Sequence, residues 1–161
     1  MKYFYSLIFT LIIFQGPLKA EDSIINPAMY QLQIGNIMCL QKKEEKLVGK
    51  PCSSSYKSQQ ILTASNPKGN TTLKIRSKCL TAVDNKKIKL KTCDRSKPSK
   101  QLWKLHLDSN HNTVSISSKA GEKRCIQSKL STTTFADIKL KPCENSVPNS
   151  QEFLPVHPPE Q

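Results

Sequence analysis

The chain has 161 residues and a formal net charge of +13, from 25 lysine and arginine side chains against 12 carboxylates. This length suggests one domain. Only 5 glycines are present, which excludes a glycine-rich phosphate-binding loop, and beyond the first twenty residues no stretch is apolar enough to span a membrane.

Residues 1–20, MKYFYSLIFTLIIFQGPLKA, predict a secretory signal peptide. A positive start at Lys2 precedes an apolar run that extends from Tyr3 to Phe14, and cleavage is expected after the small residue Ala20. A membrane anchor is the alternative, but about 12 apolar residues fall short of the roughly 20 needed to cross a bilayer. We therefore expect a secreted, extracellular protein whose charge falls to +11, because two lysines leave with the peptide.

Beyond a segment at 21–29, the chain repeats one cysteine pattern three times, in units at about 30–70, 71–112 and 113–155, before a flexible tail at 156–161. Each unit opens with a cysteine followed by Leu or Ile. A second cysteine, a Gln eight positions later and a large apolar residue two positions beyond the Gln complete it. In chain order the cysteines are Cys39 and Cys52, Cys79 and Cys93, Cys125 and Cys143, and the Gln and apolar positions are Gln60 and Leu62, Gln101 and Trp103, Gln151 and Phe153.

The segments 88–91 and 138–141 alternate apolar and polar residues, as half-buried strands do. Short strands between turn signals predict an all-β barrel or sandwich. No unit could bury its apolar face alone, so the three must share one core with threefold pseudo-symmetry. Sequence alone allows 15 pairings of six cysteines. The repeat selects a local disulfide in each unit, worth roughly 3 kcal/mol in the chain-entropy model, namely Cys39–Cys52, Cys79–Cys93 and Cys125–Cys143.

The repeated Cys-Leu, Leu-x-x-Cys and Gln-x-Trp pattern resembles the ricin B-type lectin domain, whose fold is the β-trefoil. It is similar also to the cysteine-rich domain of the mannose receptor family. The resemblance covers about residues 30–155, although the full Gln-x-Trp survives only at Gln101-Leu102-Trp103. We interpret the Gln as a structural residue at a tight corner and the residue two positions later as core.

This resemblance implies sugar binding, but the residues that bind galactose in the family are replaced here. Family members place an Asp after Cys-Leu, an aromatic residue two positions before the second cysteine, and often an Asn before the Gln. The matching residues here are Gln41, Thr81 and Gln127; Lys50, Lys91 and Lys141; and Gln59, Lys100 and Ser150. Without the carboxylate and the stacking platform, little galactose binding is expected.

A lysine at the same position of every unit, together with the basic charge, predicts a preference for anionic glycans, sulfated or sialylated. The expected partners are glycans or glycoproteins, including sulfated polysaccharides. The protein is expected to be a monomer. Alternatively, these lysines are only outward-facing side chains on alternating strands. Two other functions are a trefoil that has lost sugar binding and now contacts a protein, and a carbohydrate-directed accessory domain that has lost its enzyme. Specific nucleic-acid binding is disfavoured, because interleaved aromatic residues are missing.

Catalysis and cofactors are not expected. His106, Asp108 and His111 form the only cluster of suitable residues, and their spacing matches no zinc signature. The sequon Asn70-Thr71-Thr72 falls in a predicted loop and predicts N-glycosylation.

Overall fold

The computed structural model describes residues 25–35, 37–94, 96, 98–120, 123–144 and 148–157. The predicted signal peptide lies outside these ranges. Within them, no helix is long and apolar enough to cross a membrane.

Twelve strands and two short 3₁₀ turns make up the described chain, with four strands in each unit. In unit one these are β1 (Ile25–Ile34), β2 (Met38–Lys43), β3 (Lys46–Pro51) and β4 (Ile61–Ser65). Unit two contains β5 (Thr71–Ile75), β6 (Lys78–Ala82), β7 (Ile88–Thr92), the turn η1 (Pro98–Gln101) and β8 (Leu102–Asp108). Unit three contains β9 (Thr113–Ser118), β10 (Arg124–Thr132), β11 (Phe135–Pro142), the turn η2 (Asn149–Gln151) and β12 (Leu154–Val156).

The first and last strands of each unit form a closed barrel. Around it, β1 pairs with β4, β4 with β5, β5 with β8, and β8 with β9. A bridge between Val114 and Phe153 joins β9 to the segment entering β12, and β12 pairs with β1. The middle strands of each unit form hairpins, β2–β3, β6–β7 and β10–β11. This architecture confirms the predicted β-trefoil.

Backbone contacts also connect the three hairpins to one another. Ala136 pairs with Gly49, which joins β11 to β3. The amide of Leu90 donates to the Glu45 carbonyl at 2.7 Å, and that of Leu140 donates to the Lys86 carbonyl at 3.1 Å. Each hairpin therefore contacts both others around the pseudo-threefold axis.

The register of the hairpins shows that the units are equivalent. The opening cysteine of each unit lies directly opposite the lysine singled out in the sequence, in the pairs Cys39 and Lys50, Cys79 and Lys91, and Cys125 and Lys141. The local disulfide pairing is confirmed, because Cys39–Cys52, Cys79–Cys93 and Cys125–Cys143 are the bonds formed, with Cα–Cα distances of 4.9, 5.0 and 4.9 Å.

One shared apolar core fills the barrel, as the three-unit pattern requires. Trp103 and Phe153 are its largest fully buried side chains. Leu73, Ile116 and Leu140 lie in the same cluster. The Trp103 indole N–H donates to the Leu80 carbonyl at 3.0 Å, so its one polar atom is satisfied inside the core.

In unit one the predicted corner glutamine is wrong by one position. Gln59, not Gln60, is fully buried, and Ile61, not Leu62, lies in the core. The Gln59 side chain accepts from the Ser53 amide at 2.8 Å and donates to the Pro51 carbonyl at 2.8 Å. Gln101 makes the equivalent bonds to Asp94 and Thr92 in unit two. The loop between the second cysteine and the corner glutamine is one residue shorter in unit one than in the other two units. Because Gln60 lies at the eight-residue spacing of the other units, the sequence alone does not reveal this difference.

The sheet also extends beyond the predicted domain limits at both ends. Strand β1 begins at Ile25, inside the segment assigned to 21–29. At the other end, Val156 of β12 pairs with Gln31 of β1, and the ring centroids of His157 and Tyr30 lie 4.6 Å apart. The first two residues of the predicted tail are therefore part of the fold, because β12 supplies the last pairing that closes the barrel.

Candidate functional site

The hairpin of unit two contributes to a polar cleft of about 660 Å³, which we call the unit-two cleft. Three ammonium groups and two carboxylates line it, together with a threonine and a half-cystine. The lining residues are Glu45, Lys78, Lys89, Lys91, Thr92, Cys93 and Asp94.

Two of the three lysines of this cleft already have protein partners. Lys89 Nζ lies 3.7 Å from a carboxylate oxygen of Glu45, and Lys78 Nζ donates to Thr92 Oγ1 at 3.1 Å. Lys91 is exposed and forms no ion pair within the described part of the chain. Its ammonium group is therefore the most available charge in the cleft.

Thr81 stands where galactose-binding relatives have the Asp, and its hydroxyl is committed to internal bonds. The residue is buried. Its Oγ1 donates to the Cys79 carbonyl at 3.0 Å and accepts from Gln101 Nε2 at 3.0 Å. The position therefore supports the corner glutamine rather than facing a ligand.

The equivalent residues of unit one are likewise engaged within the protein. Gln41 Oε1 accepts from Gln59 Nε2 at 3.1 Å. Lys50 Nζ lies 5.3 Å from the centroid of the Phe135 ring, within the range of a cation–π contact. Lys50 therefore leans toward the hairpin of unit three.

Unit three differs from unit one, where Gln41 is hydrogen-bonded to the corner glutamine, because Gln127 is hydrogen-bonded to Ser150 instead. Gln127 Nε2 donates to Ser150 Oγ at 2.8 Å, while Gln151 Nε2 donates to the Pro142 carbonyl at 3.0 Å. Lys141 is exposed. The predicted site residues thus lie on three separate hairpins and do not converge on one site.

Sequence reasoning missed a second basic cleft, of about 630 Å³, between β8, β9 and the start of β10. It contains three lysines, one histidine and three serine hydroxyls, against one glutamate. Within it, His106 Nε2 and Ser117 Oγ are hydrogen-bonded at 2.9 Å. No motif predicts this cleft, since its lysines come from two units; they are Lys104, Lys119 and Lys123.

Of the cluster His106, Asp108 and His111 that the sequence indicates, the structure brings together Asp108 and His111 but not His106. His111 Nδ1 lies 2.9 Å from Asp108 Oδ2, and this hydrogen bond raises the pKa of His111 and lowers that of Asp108. The fold adds Glu152, from which one oxygen lies within 4.8 Å of the other two ligand atoms. Glu152 is remote in sequence, and only the closed barrel brings it here.

The predicted glycosylation of Asn70 is not supported by its position. Asn70 is only 2% exposed, and its Oδ1 is buried without a hydrogen-bond partner in the described structure. Its backbone closes a turn with Asn66, whose Oδ1 accepts from the Asn70 amide at 3.0 Å. A glycan on this side chain would have to displace the packing around the start of β5.

Solved structures share this fold at low sequence identity. The cytolethal distending toxin of Haemophilus ducreyi aligns with a TM-score of 0.66 and 20% identity, over 81% of this chain and 83% of that chain. A ricin B-like lectin of Macrolepiota procera, solved in complex with lactose, aligns with a TM-score of 0.65 and 14% identity, over 84% and 99%. SeviL bound to asialo-GM1 saccharide aligns with a TM-score of 0.61 and 12% identity, over 82% and 98%.

At the level of sequence, a search of curated proteins finds no significant match. The model of the ricin-type beta-trefoil lectin domain, in contrast, matches residues 31–153. This match spans all three cysteine units and agrees with the strand order of the barrel. The chain therefore belongs to the ricin-type β-trefoil lectin domain family.

Proposed function

We propose that this protein is a secreted, lectin-like glycan-binding protein, not an enzyme, and that it prefers anionic glycans, sulfated or sialylated, over neutral galactose. Family membership supports carbohydrate binding in general. The proposal of secretion depends on the signal-peptide pattern of residues 1–20.

The observation that carries the preference is Lys91 in the unit-two cleft. It occupies the position that holds the stacking aromatic residue in galactose-binding relatives, and two further lysines lie beside it. An ammonium group offers no flat apolar face to a sugar ring, but it forms charge-assisted hydrogen bonds to sulfate or carboxylate. The internal engagement of Thr81 removes the other galactose contact.

The charge of the whole molecule supports the same preference. The formal charge is +13 for the full sequence and +11 without the predicted signal peptide, and it attracts polyanions toward the surface over a Debye length of about 8 Å at physiological salt. Carboxylates in the cleft, Glu45 and Asp94, oppose indiscriminate binding of negative charge. We infer that a ligand must place its anionic group close to Lys91 to gain affinity.

The test is a glycan array with sulfated, sialylated and neutral probes, followed by titration of the best probe. We expect Lys91→Ala to weaken that binding about tenfold, the loss that accompanies removal of one charge-assisted hydrogen bond. Lys68→Ala is the matched control, because Lys68 is exposed in the turn between β4 and β5 and is not among the residues that line the cleft. It removes the same charge, and its effect should stay below about twofold.

Equal retention of neutral galactose probes would contradict the preference for anionic glycans. Equal losses in the two lysine variants would mean that net charge alone governs binding. Absence of glycan binding, combined with saturable binding to cells, would instead favour a trefoil that contacts a protein.

A further inference from the structure

The barrel brings a histidine and two carboxylates together at the end of the β8–β9 hairpin. Asp108 ends β8, and His111 lies in the turn that follows. Glu152 follows η2 in unit three. Two backbone hydrogen bonds between Val114 and Phe153, at 2.8 and 3.0 Å, hold the two segments side by side. The cluster is therefore positioned by the main chain and not by flexible side chains alone.

The three side chains are close enough to share one ion. One ligand atom from each lies within 4.8 Å of the other two, and the distance from His111 Nδ1 to Asp108 Oδ2 is already 2.9 Å. Ligand atoms about 2.0–2.2 Å from a tetrahedral ion lie roughly 3.4 Å from one another. The upper limit of 4.8 Å exceeds that spacing by about 1.4 Å, and the 2.9 Å contact is shorter than it, so side-chain adjustments of this order would complete the site.

A second, independent feature of this cleft is an unsatisfied hydroxyl. Thr113 Oγ1 is shielded from solvent and has no hydrogen-bond partner among the described residues. Thr113, Asp108 and Glu152 all line one cleft of about 300 Å³. A residue that lines this cleft therefore has a hydroxyl whose hydrogen-bonding capacity no described residue fulfils.

The carboxylate of Asp108 is also oriented by the backbone. Its Oδ1 accepts from the Asn110 amide at 2.8 Å, which leaves Oδ2 for His111 or for an ion. Ligating carboxylates in metal sites are commonly held by such outer hydrogen bonds. Metal binding would replace the contact of Asp108 with His111, so the imidazole must bind in its neutral form.

The ligand set indicates which ion would bind. Ca²⁺ takes six to eight oxygen ligands, and Mg²⁺ keeps most of its waters. One imidazole nitrogen and two carboxylate oxygens, with an open position for water, suit Zn²⁺ and similar divalent transition ions. All six cysteines are in disulfides, so free thiols do not compete for the ion.

We propose that Asp108, His111 and Glu152 bind one Zn²⁺ ion that ties the β8–β9 hairpin to the segment before β12. The site joins the end of unit two to the end of unit three, so an ion there stabilises barrel closure. The sequence spacing shows no zinc signature because one of the three ligands is contributed by a segment distant in sequence.

Calorimetric titration of the full chain with ZnCl₂ at pH 7.5 tests this site directly. We expect saturable binding of one equivalent and a rise of several degrees in the thermal midpoint at a hundredfold excess over Kd, reversed by a chelator. CaCl₂ should produce neither effect. Glu152→Gln keeps the shape of the side chain and should weaken binding at least tenfold, as should His111→Asn.

His157→Asn serves as the matched control, because it removes a histidine whose ring contacts Tyr30 and which is not part of the cluster. This variant should bind Zn²⁺ as the unaltered chain does. The proposal is wrong if no one-equivalent binding occurs, or if His111→Asn and Glu152→Gln bind Zn²⁺ unchanged. Circular dichroism of each variant without metal distinguishes lost ligands from lost folding.

Discussion

A buried glutamine in each unit donates a hydrogen bond to the backbone carbonyl directly before the second cysteine. In unit one, Gln59 accepts from the Ser53 amide and donates to the Pro51 carbonyl and to Gln41. Only an uncharged side chain with both a donor and an acceptor can satisfy all of these groups. The amide therefore stabilises the turn without burying a charge.

This arrangement predicts unequal effects of two adjacent substitutions. Gln59→Ala removes a fully buried side chain together with the partner of the Ser53 amide and of the Pro51 carbonyl, and should lower the free energy of unfolding by about 1–3 kcal/mol. Gln60→Ala removes a partly exposed side chain and should change it by less than about 0.5 kcal/mol. Denaturant unfolding of the two variants measures both values, and similar losses would contradict the corrected register.

At the scale of the element, the contact between β3 and β11 requires a glycine. A Cβ atom on Gly49 would lie 2.7 Å from the Cβ of Ala136 and 2.9 Å from Cδ1 of Ile34. Ile34 Cδ1 ends a side chain that can rotate, but the Cβ of Ala136 is fixed to its strand, so the strands themselves would have to separate. Gly49 thus sets how closely the hairpins of units one and three pack.

Gly49→Ala should therefore destabilise the fold by about 1–3 kcal/mol, as overpacking of a close contact does. Gly35→Asn is a suitable control, because Gly35 has a φ of +56° with nothing within 4 Å of a built Cβ, and Asn tolerates that conformation. Thermal unfolding of both variants provides the comparison. A neutral Gly49→Ala would mean that β3 and β11 can move apart at little cost.

Element patterns explain why the fold was predictable and parts of the site were not. Cysteine spacing and alternating strands such as Ile88–Thr92 depend on local sequence, so the three units and their disulfides could be inferred. The choice between Gln59 and Gln60 depends on burial, which the spacing alone does not report. Glu152 and Lys104 join their clusters only through barrel closure, and the sequon at Asn70 gives no indication that its side chain is buried.

On the scale of the whole molecule, every cross-link stays inside one unit. A cut inside a cystine loop leaves the two fragments covalently joined, whereas a cut between units does not. A protease site inserted in the turn at 84–87 lies inside the Cys79–Cys93 loop. One inserted in the turn at 66–69 lies between the disulfides of units one and two.

After cleavage, the 84–87 variant should migrate as one band on a non-reducing denaturing gel and as two bands after reduction. The 66–69 variant should give two bands under both conditions. A single non-reduced band from the 66–69 variant would reveal a cystine that crosses between units and would contradict the local pairing.

Because β12 pairs with β1, the barrel cannot close until the end of the domain has been synthesised. Gln31 finds its partner Val156 only after nearly the whole domain has left the ribosome, so the seam of the barrel forms late. Each cystine loop, in contrast, is complete once 13 to 18 further residues have followed its first cysteine. Oxidation can therefore precede closure, and the nascent chain would carry its covalent bonds before it has a finished core.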